Sequence, residues 1–184
     1  MDVIESPIPG VLIIEPKLFG DHRGFFLETF QIERYASYGI HRPFVQDNLS
    51  RSAHGVVRGL HLQNPFPQGK LVMVLRGRVL DVAVDARLGS PTFGHHVAIE
   101  LNDENHRQLW VPRGFAHGFA VLSESADFFY KCDELYRPSE EIVVRWNDPS
   151  IGINWGIESP VLSARDAAAP LLANVEGLPI YDSV

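Results

Sequence analysis

Short runs of Val, Leu, Ile and Phe recur along the chain, separated by Gly, Pro, Asn and Asp. Within several runs apolar and other residues alternate. Leu80, Val82 and Val84 fall on one side of an extended segment and Asp81, Ala83 and Asp85 on the other, because successive strand side chains point to opposite faces. The pattern predicts strands over residues 11–15, 25–30, 44–50, 56–63, 70–75, 79–85, 94–101, 108–111, 118–122, 128–132 and 142–146. Helical spacing is rare. Residues 31–38 read as one short helix, and a second, begun at 166, is disturbed by Pro170 before 172. So many short strands with frequent turn signals predict an all-β sandwich or jelly roll with a few short helices. No repeat, low-complexity tract or linker divides residues 1–184, so one domain is expected. Jelly rolls leave sheet edges that subunit pairing can cover, and a homodimer is expected on that ground.

Composition narrows the function more than the fold. With 45% apolar and 21% charged residues, 184 residues suffice for a substantial core. The net charge of −7 argues against a nucleic-acid partner, which needs a broad basic field. An anionic small ligand would have to be held by a few local Arg and Lys side chains. No basic start followed by a long apolar stretch occurs, and no run approaches about 20 apolar residues, so no membrane association and a cytoplasmic location are expected. The single Cys132 sits in an apolar strand and reads as a small buried hydrophobe. His22, His41, His54, His95, His96 and His106 lack ligand spacing and read as surface or structural.

Four segments carry more polar groups than a purely structural strand needs. Arg23 and Glu28 flank Phe25 and Phe26; Gln46 and Asn48 share a strand face; Arg58 precedes His61; Tyr130 opens a stretch that ends at Tyr136. Each alone has a plain structural explanation: a surface ion pair for Arg23, loop hydrogen bonds for Gln46 and Asn48, a core histidine for His61, aromatic packing for Tyr130. The spacing Gly55, five residues, His61-Leu62-Gln63, six residues, Lys70, six residues, Gly77 is similar to the first cupin motif. Pro112-Arg113-Gly114-Phe115-Ala116-His117 is similar to the second. Metal-binding cupins place a second histidine at the position of Gln63 and a glutamate at that of Lys70. An ammonium has donors and no lone pair, so it repels a divalent cation. No metal and no cofactor are expected. What remains is an imidazole beside a fixed positive charge, suited to abstracting a proton next to a carbonyl and holding the enolate.

Taken together, the segments resemble the dTDP-4-dehydrorhamnose 3,5-epimerase family of metal-free cupins, from about Ile4 to Leu172. The resemblance rests on Phe19-Gly20-Asp21-His22-Arg23-Gly24-Phe25-Phe26-Leu27-Glu28, Phe44-Val45-Gln46-Asp47-Asn48-Leu49-Ser50, Val57-Arg58-Gly59-Leu60-His61, Gln68-Gly69-Lys70-Leu71-Val72, the stretch from Val111 to Phe119, and Leu162-Ser163-Ala164-Arg165-Asp166. It implies a dTDP-4-keto-6-deoxyhexose substrate whose C3 and C5 hydrogens both flank the C4 ketone. By resemblance His61 is the base, Asp166 orients it, Lys70 and Arg58 stabilise the oxyanion, and Tyr130 protonates from the opposite face. Arg23 and Arg165 are implied for the diphosphate, where a guanidinium fork matches phosphate. Many relatives carry lysine at the position of Arg165. Tyr136 is implied to stack on thymine, and Phe26, Glu28, Gln46, Asn48, His117 and Glu141 to contact ligand. Arg23, Phe26 and Glu28 are candidates to serve the neighbouring subunit. The alternatives are an epimerase acting at C3 or C5 only, a metal-dependent cupin, and a non-catalytic sugar-nucleotide binding module.

Overall fold

The computed structural model of the chain describes residues 1–181. In chain order its elements are β1 (Asp2–Glu5), β2 (Leu12–Glu15), β3 (Leu18–Asp21), β4 (Gly24–Leu27), α1 (Ile32–Ala36), β5 (Gln46–Ala53), β6 (Val57–Gln63), β7 (Lys70–Arg76), β8 (Arg78–Asp85), β9 (His96–Asn102), β10 (Gln108–Val111), β11 (Phe115–Val121), β12 (Ser125–Cys132), β13 (Glu141–Val143) and α2 (Ala164–Ala167). One antiparallel sheet has the order β1-β2-β10-β7-β12-β5, and a second β13-β6-β11-β8-β9. Strands β3 and β4 form a separate hairpin. This is the all-β jelly roll that the strand pattern predicts, of the cupin type that the motif spacing and the resemblance imply.

Three apolar layers hold it together. Val72, Val74, Leu109 and Phe128 of the six-stranded sheet meet Val79, Phe115, Phe119 and Val121 of the other. Fully burying a side chain such as Phe128 or Leu109 contributes roughly 1.5–3 kcal/mol. The far side of the five-stranded sheet, through Val82, Val84, Ala116 and Ala120, is covered by Ile151, Trp155, Leu172 and Leu178. Tyr35 and Ile40 pack with Leu12, Ile14, Leu71 and Trp110 in a third cluster. The interior strand β8 is therefore enclosed on both faces. Its alternation is as read from the sequence, yet Asp81 and Asp85 are fully buried. Asp85 is satisfied there by Arg87, Ser90 and Thr92 at 2.8, 2.5 and 2.6 Å.

Departures from the expected elements have local causes. The segment expected as strand to residue 30 pairs only to Leu27; Phe30 instead packs on Phe44, with ring centroids 4.8 Å apart. The helix expected over 31–38 is Ile32–Ala36, capped by Gln31, whose Oε1 accepts from Arg34 N at 2.6 Å. The chain then turns through Gly39 at φ +91°. The second helix begins earlier than expected because Ser163 Oγ accepts from Asp166 N at 3.0 Å, and it stops before Pro170. Strands β11 and β12 start upstream of the predicted 118 and 128. Pairing of β13 ends at Val143, although Val144 still exchanges two backbone hydrogen bonds with Leu60. Strands β1 and β3, only four residues each, are too short to show alternation.

One close approach positions the site. Gly59 has φ +124°, and a Cβ there would lie 2.7 Å from Gly118 Cα. The missing side chain lets β6 and β11 press together where their register shifts, and brings His61 directly opposite His117.

Candidate active site

At one end of the sandwich the inward-facing positions turn from apolar to polar. On β7 the side chain two residues before Val72 is Lys70; on β12 Tyr130 and Cys132 follow Phe128. The register places Cys132 opposite both Lys70 and Gln46, and Tyr130 opposite Asn48. From the facing sheet come His61, opposite His117 and Val143, and Glu141, opposite Gln63. These residues wall a cavity of about 300 Å³, shared by Gln46, Asn48, His61, Lys70, Tyr130, Cys132, Tyr136 and Glu141, with Leu62, Gln63 and Gln68 on its rim. A recess of about 140 Å³ uses the same His61, Lys70 and Tyr130 and adds Ser50, Arg58 and His117.

The imidazole of His61 is half-buried and fixed from behind. Its Nε2 lies 2.7 Å from Asp166 Oδ1. A carboxylate only accepts, so Nε2 carries the hydrogen in neutral His61, and Nδ1 presents a lone pair. Burial pushes the Asp166 carboxyl upward, but hydrogen bonds from His61 and Ser163, the His61 charge and the Gly59 backbone outweigh it and hold the group below its ordinary value. Glu141 Oε1 stands 3.9 Å from His61 Nδ1.

Across the cavity, burial raises the Tyr130 phenol, reinforced by Cys132 and Glu141 and opposed by Arg58. It is a neutral O–H donor at physiological pH. The Lys70 ammonium makes no hydrogen bond or ion pair among the described residues. Burial pulls its ammonium below the ordinary value, partly offset by Cys132, Glu141 and Asp81. Burial also lifts the Cys132 thiol to about 11, with Lys70 pulling the other way, so the cysteine stays neutral. Arg58 Nε is held by Ser52 Oγ at 3.0 Å. A base, an acid and an uncommitted cation thus converge from two sheets on one small volume.

The other expected site residues divide into two groups. Tyr136 and Arg165 gather around Glu141 at the rim: the Tyr136 hydroxyl donates to Glu141 Oε2 at 3.2 Å, and Arg165 donates to the same oxygen and, at 3.1 Å, to the Glu141 carbonyl. Arg23, Phe26 and Glu28 do not line this cavity. Arg23 is exposed on the β3–β4 hairpin and held by Asp21, Glu28 is bonded to Arg34, and the Phe26 ring is 67% exposed. Residues the sequence reading did not assign also line the site. Cys132 and Ser50 follow Tyr130 and Asn48 at the two-residue interval of a strand face, which was the available signal. Gln63, at the position of a cupin ligand, has a different use. Its Nε2 donates to the carbonyls of Phe66 and Leu135 at 2.5 and 3.1 Å and its Oε1 accepts from Arg137 N at 2.7 Å. A larger cavity of about 560 Å³ lies elsewhere, but its Arg113 and Arg42 are already paired with Asp133 at 3.0 and 3.8 Å.

Comparison with known proteins is consistent in one direction. The model of the dTDP-4-dehydrorhamnose 3,5-epimerase family matches residues 5–174. The chain is 54% identical over 175 residues to the dTDP-4-dehydrorhamnose 3,5-epimerase of Salmonella typhimurium, covering 94% of this chain and 96% of that one. It is 52% identical over 168 residues to that of Shigella flexneri, covering 90% and 93%. Among solved structures it is similar, with a TM-score of 0.96 and 54% identity over 98% of both chains, to a dTDP-6-deoxy-D-glucose-3,5-epimerase from Legionella pneumophila in complex with dTDP-4-keto-L-rhamnose.

Proposed function

The chain belongs to the dTDP-4-dehydrorhamnose 3,5-epimerase family, and from that premise we propose how it inverts C3 and C5 of dTDP-4-dehydro-6-deoxy-D-glucose to give dTDP-4-dehydro-L-rhamnose. It is a sugar-nucleotide epimerase, an isomerase of dTDP-rhamnose biosynthesis. The observation that carries the mechanism is the opposition of His61 and Tyr130 across the cavity, with Lys70 unpaired between the same walls.

His61 Nδ1 removes a hydrogen next to the C4 ketone. The C–H electron pair moves into an enolate, the charge settles on the C4 oxygen, and the imidazolium is stabilised by Asp166. Lys70, seconded by Arg58, stabilises that oxygen. Tyr130 returns a proton from the opposite face, which inverts the carbon. Burial of the phenol favours this role by keeping the proton on it until the enolate forms. Arg165 leaves Glu141 for the diphosphate, Tyr136 stacks on thymine, and Gln46, Asn48, His117 and Glu141 complete the ligand contacts.

The single chain leaves Arg23, Phe26 and Glu28 outside its own cavity, so they serve the partner in a homodimer. Phe25 and Phe26, 60% and 67% exposed on a projecting hairpin, support that arrangement. We place the enzyme in the cytoplasm as a single-domain protein; no helix among the described residues is long and apolar enough to cross a membrane. Incubation with the keto-sugar nucleotide in D2O tests the reading, since deuterium is expected at both C3 and C5. Label at one carbon would make it a single-centre epimerase, and label at neither would refute the assignment. For the shared site, mixing Arg23→Ala and His61→Asn chains should restore activity that neither has alone.

A further inference from the structure

The recess behind the cavity holds a second carboxylate–imidazole pair, His117 with Asp81, and the mechanism above gives that acid no part. Asp81 on β8 is fully buried, and its Oδ1 lies 2.8 Å from His117 Nε2. Its other oxygen, Oδ2, has no hydrogen-bond partner among the described residues. A buried acid left half-satisfied costs stability, and packing alone gives no return for it. His117 stands directly opposite His61 in the β11–β6 register. Two imidazoles therefore sit side by side on one sheet face, each bonded through Nε2 to a buried acid.

The pairing sets what His117 can do. An ionised carboxylate has no donor, so Asp81 keeps the hydrogen on Nε2 of the neutral ring and leaves Nδ1 as an acceptor. That nitrogen has no hydrogen-bond partner among the described residues, and the ring lines the recess with Lys70 and Tyr130. An acceptor needs a donor, and the keto-sugar offers donors on one side of its ketone only. C3 bears a hydroxyl, with C2 and its hydroxyl beyond it; C5 bears the ring oxygen and a methyl group. We propose that Asp81 is a positioning residue for the reaction at C3: it holds His117 so that Nδ1 accepts the C3 hydroxyl and seats that side of the ring against the base.

This inference rests on the epimerase reading and deepens it, so the test separates the two. Exchange in D2O is followed by NMR at C3 and C5 independently for the parent, Asp81→Asn, His117→Gln and the double variant. Expected is a loss on the order of tenfold or more at C3 with less than about threefold at C5 in each single variant. The double variant should be no worse than His117→Gln, because Asp81 acts through that ring. Equal losses at the two carbons, or losses that multiply in the double variant, would overturn the proposal. A merely structural role would lower both carbons together. If Asp81→Asn does not fold, His117→Gln read for the same ratio decides it. Failure of the parent to label either carbon would instead remove the epimerase reading itself.

Discussion

Replacing Lys70 with methionine separates catalysis from stability, because the structure sets the two effects in opposite directions. The ammonium is uncommitted: burial disfavours its charge, and the groups offsetting this act at a distance, not through an ion pair. An enolate oxygen about 3 Å from Nζ would interact with it by about 5–6 kcal/mol at an effective dielectric constant of about 20. Part of that is already present with the ground-state ketone. The differential share should match the loss seen when one preorganised oxyanion donor is removed, about 10²–10³ in kcat. Stability should move the other way. Because the folded-state pKa is lowered, the unfolded chain holds this proton more tightly, so the group opposes folding at neutral pH. That penalty fades as pH rises toward the ordinary value of 10.5. Methionine keeps most of the stem's packing and removes the charge. Lys70→Met should therefore melt at or above the parent temperature at pH 7 while kcat falls by about 10²–10³. Steady-state turnover of the keto-sugar nucleotide and a thermal melt on the same preparation measure both. Turnover within a fewfold of the parent would leave the enolate without its electrophile and refute the mechanism.

Other substitutions probe the remaining parts. Tyr130→Phe should lower inversion by about 10²–10⁴ while proton abstraction survives, so deuterium wash-in measured by NMR should outrun formation of inverted product. Asp166→Asn should lower kcat by a comparable factor. It should also flatten the acid end of the stability profile, because the depressed carboxyl stabilises the fold above its ordinary value of 3.8 and loses that contribution as pH falls through the folded value; urea melts between pH 3 and 7 would show it. Gly59→Ala should destabilise by about 2–4 kcal/mol, because a left-handed φ and a near clash with Gly118 fall at one position, and a reduced urea midpoint would register the loss.

Legibility in the sequence followed the range of the interaction. Strands enclosed on both faces, such as β8, were readable because their apolar runs are long and their alternation survives. The four-residue β1 and β3 were not, since their pairing partners, not their own residues, make them strands. The same holds for the site. Lys70 and His61 were legible through the cupin-like spacing, and Tyr130 through the family resemblance, since each alone has a plain structural reading. Cys132 and Ser50 were not, because a thiol and a hydroxyl are as common in a core or at an edge as beside a ligand. Asp81 was assigned only to a strand face, and nothing local told that its face would be interior; that depends on the six-stranded sheet packed across it.

The two positions at which this chain differs from a metal-binding cupin set serve in different ways, and the difference follows from where each side chain points. Lys70 begins β7 and faces the cavity, so its change of charge alters what the cavity can stabilise. Gln63 ends β6, where a buried amide can both donate and accept. It closes hydrogen bonds to Phe66, Leu135 and Arg137 that tie the loop after β6 to the exit of β12. That exit carries Tyr136, whose backbone N–H also donates to Gln46 Oε1 at 2.8 Å. A histidine in place of Gln63 could not satisfy two carbonyls and an N–H at once with its two ring nitrogens. The residue at one of these positions thus sets the electrostatics of the cavity, and the residue at the other holds the rim that carries the proposed nucleotide contacts.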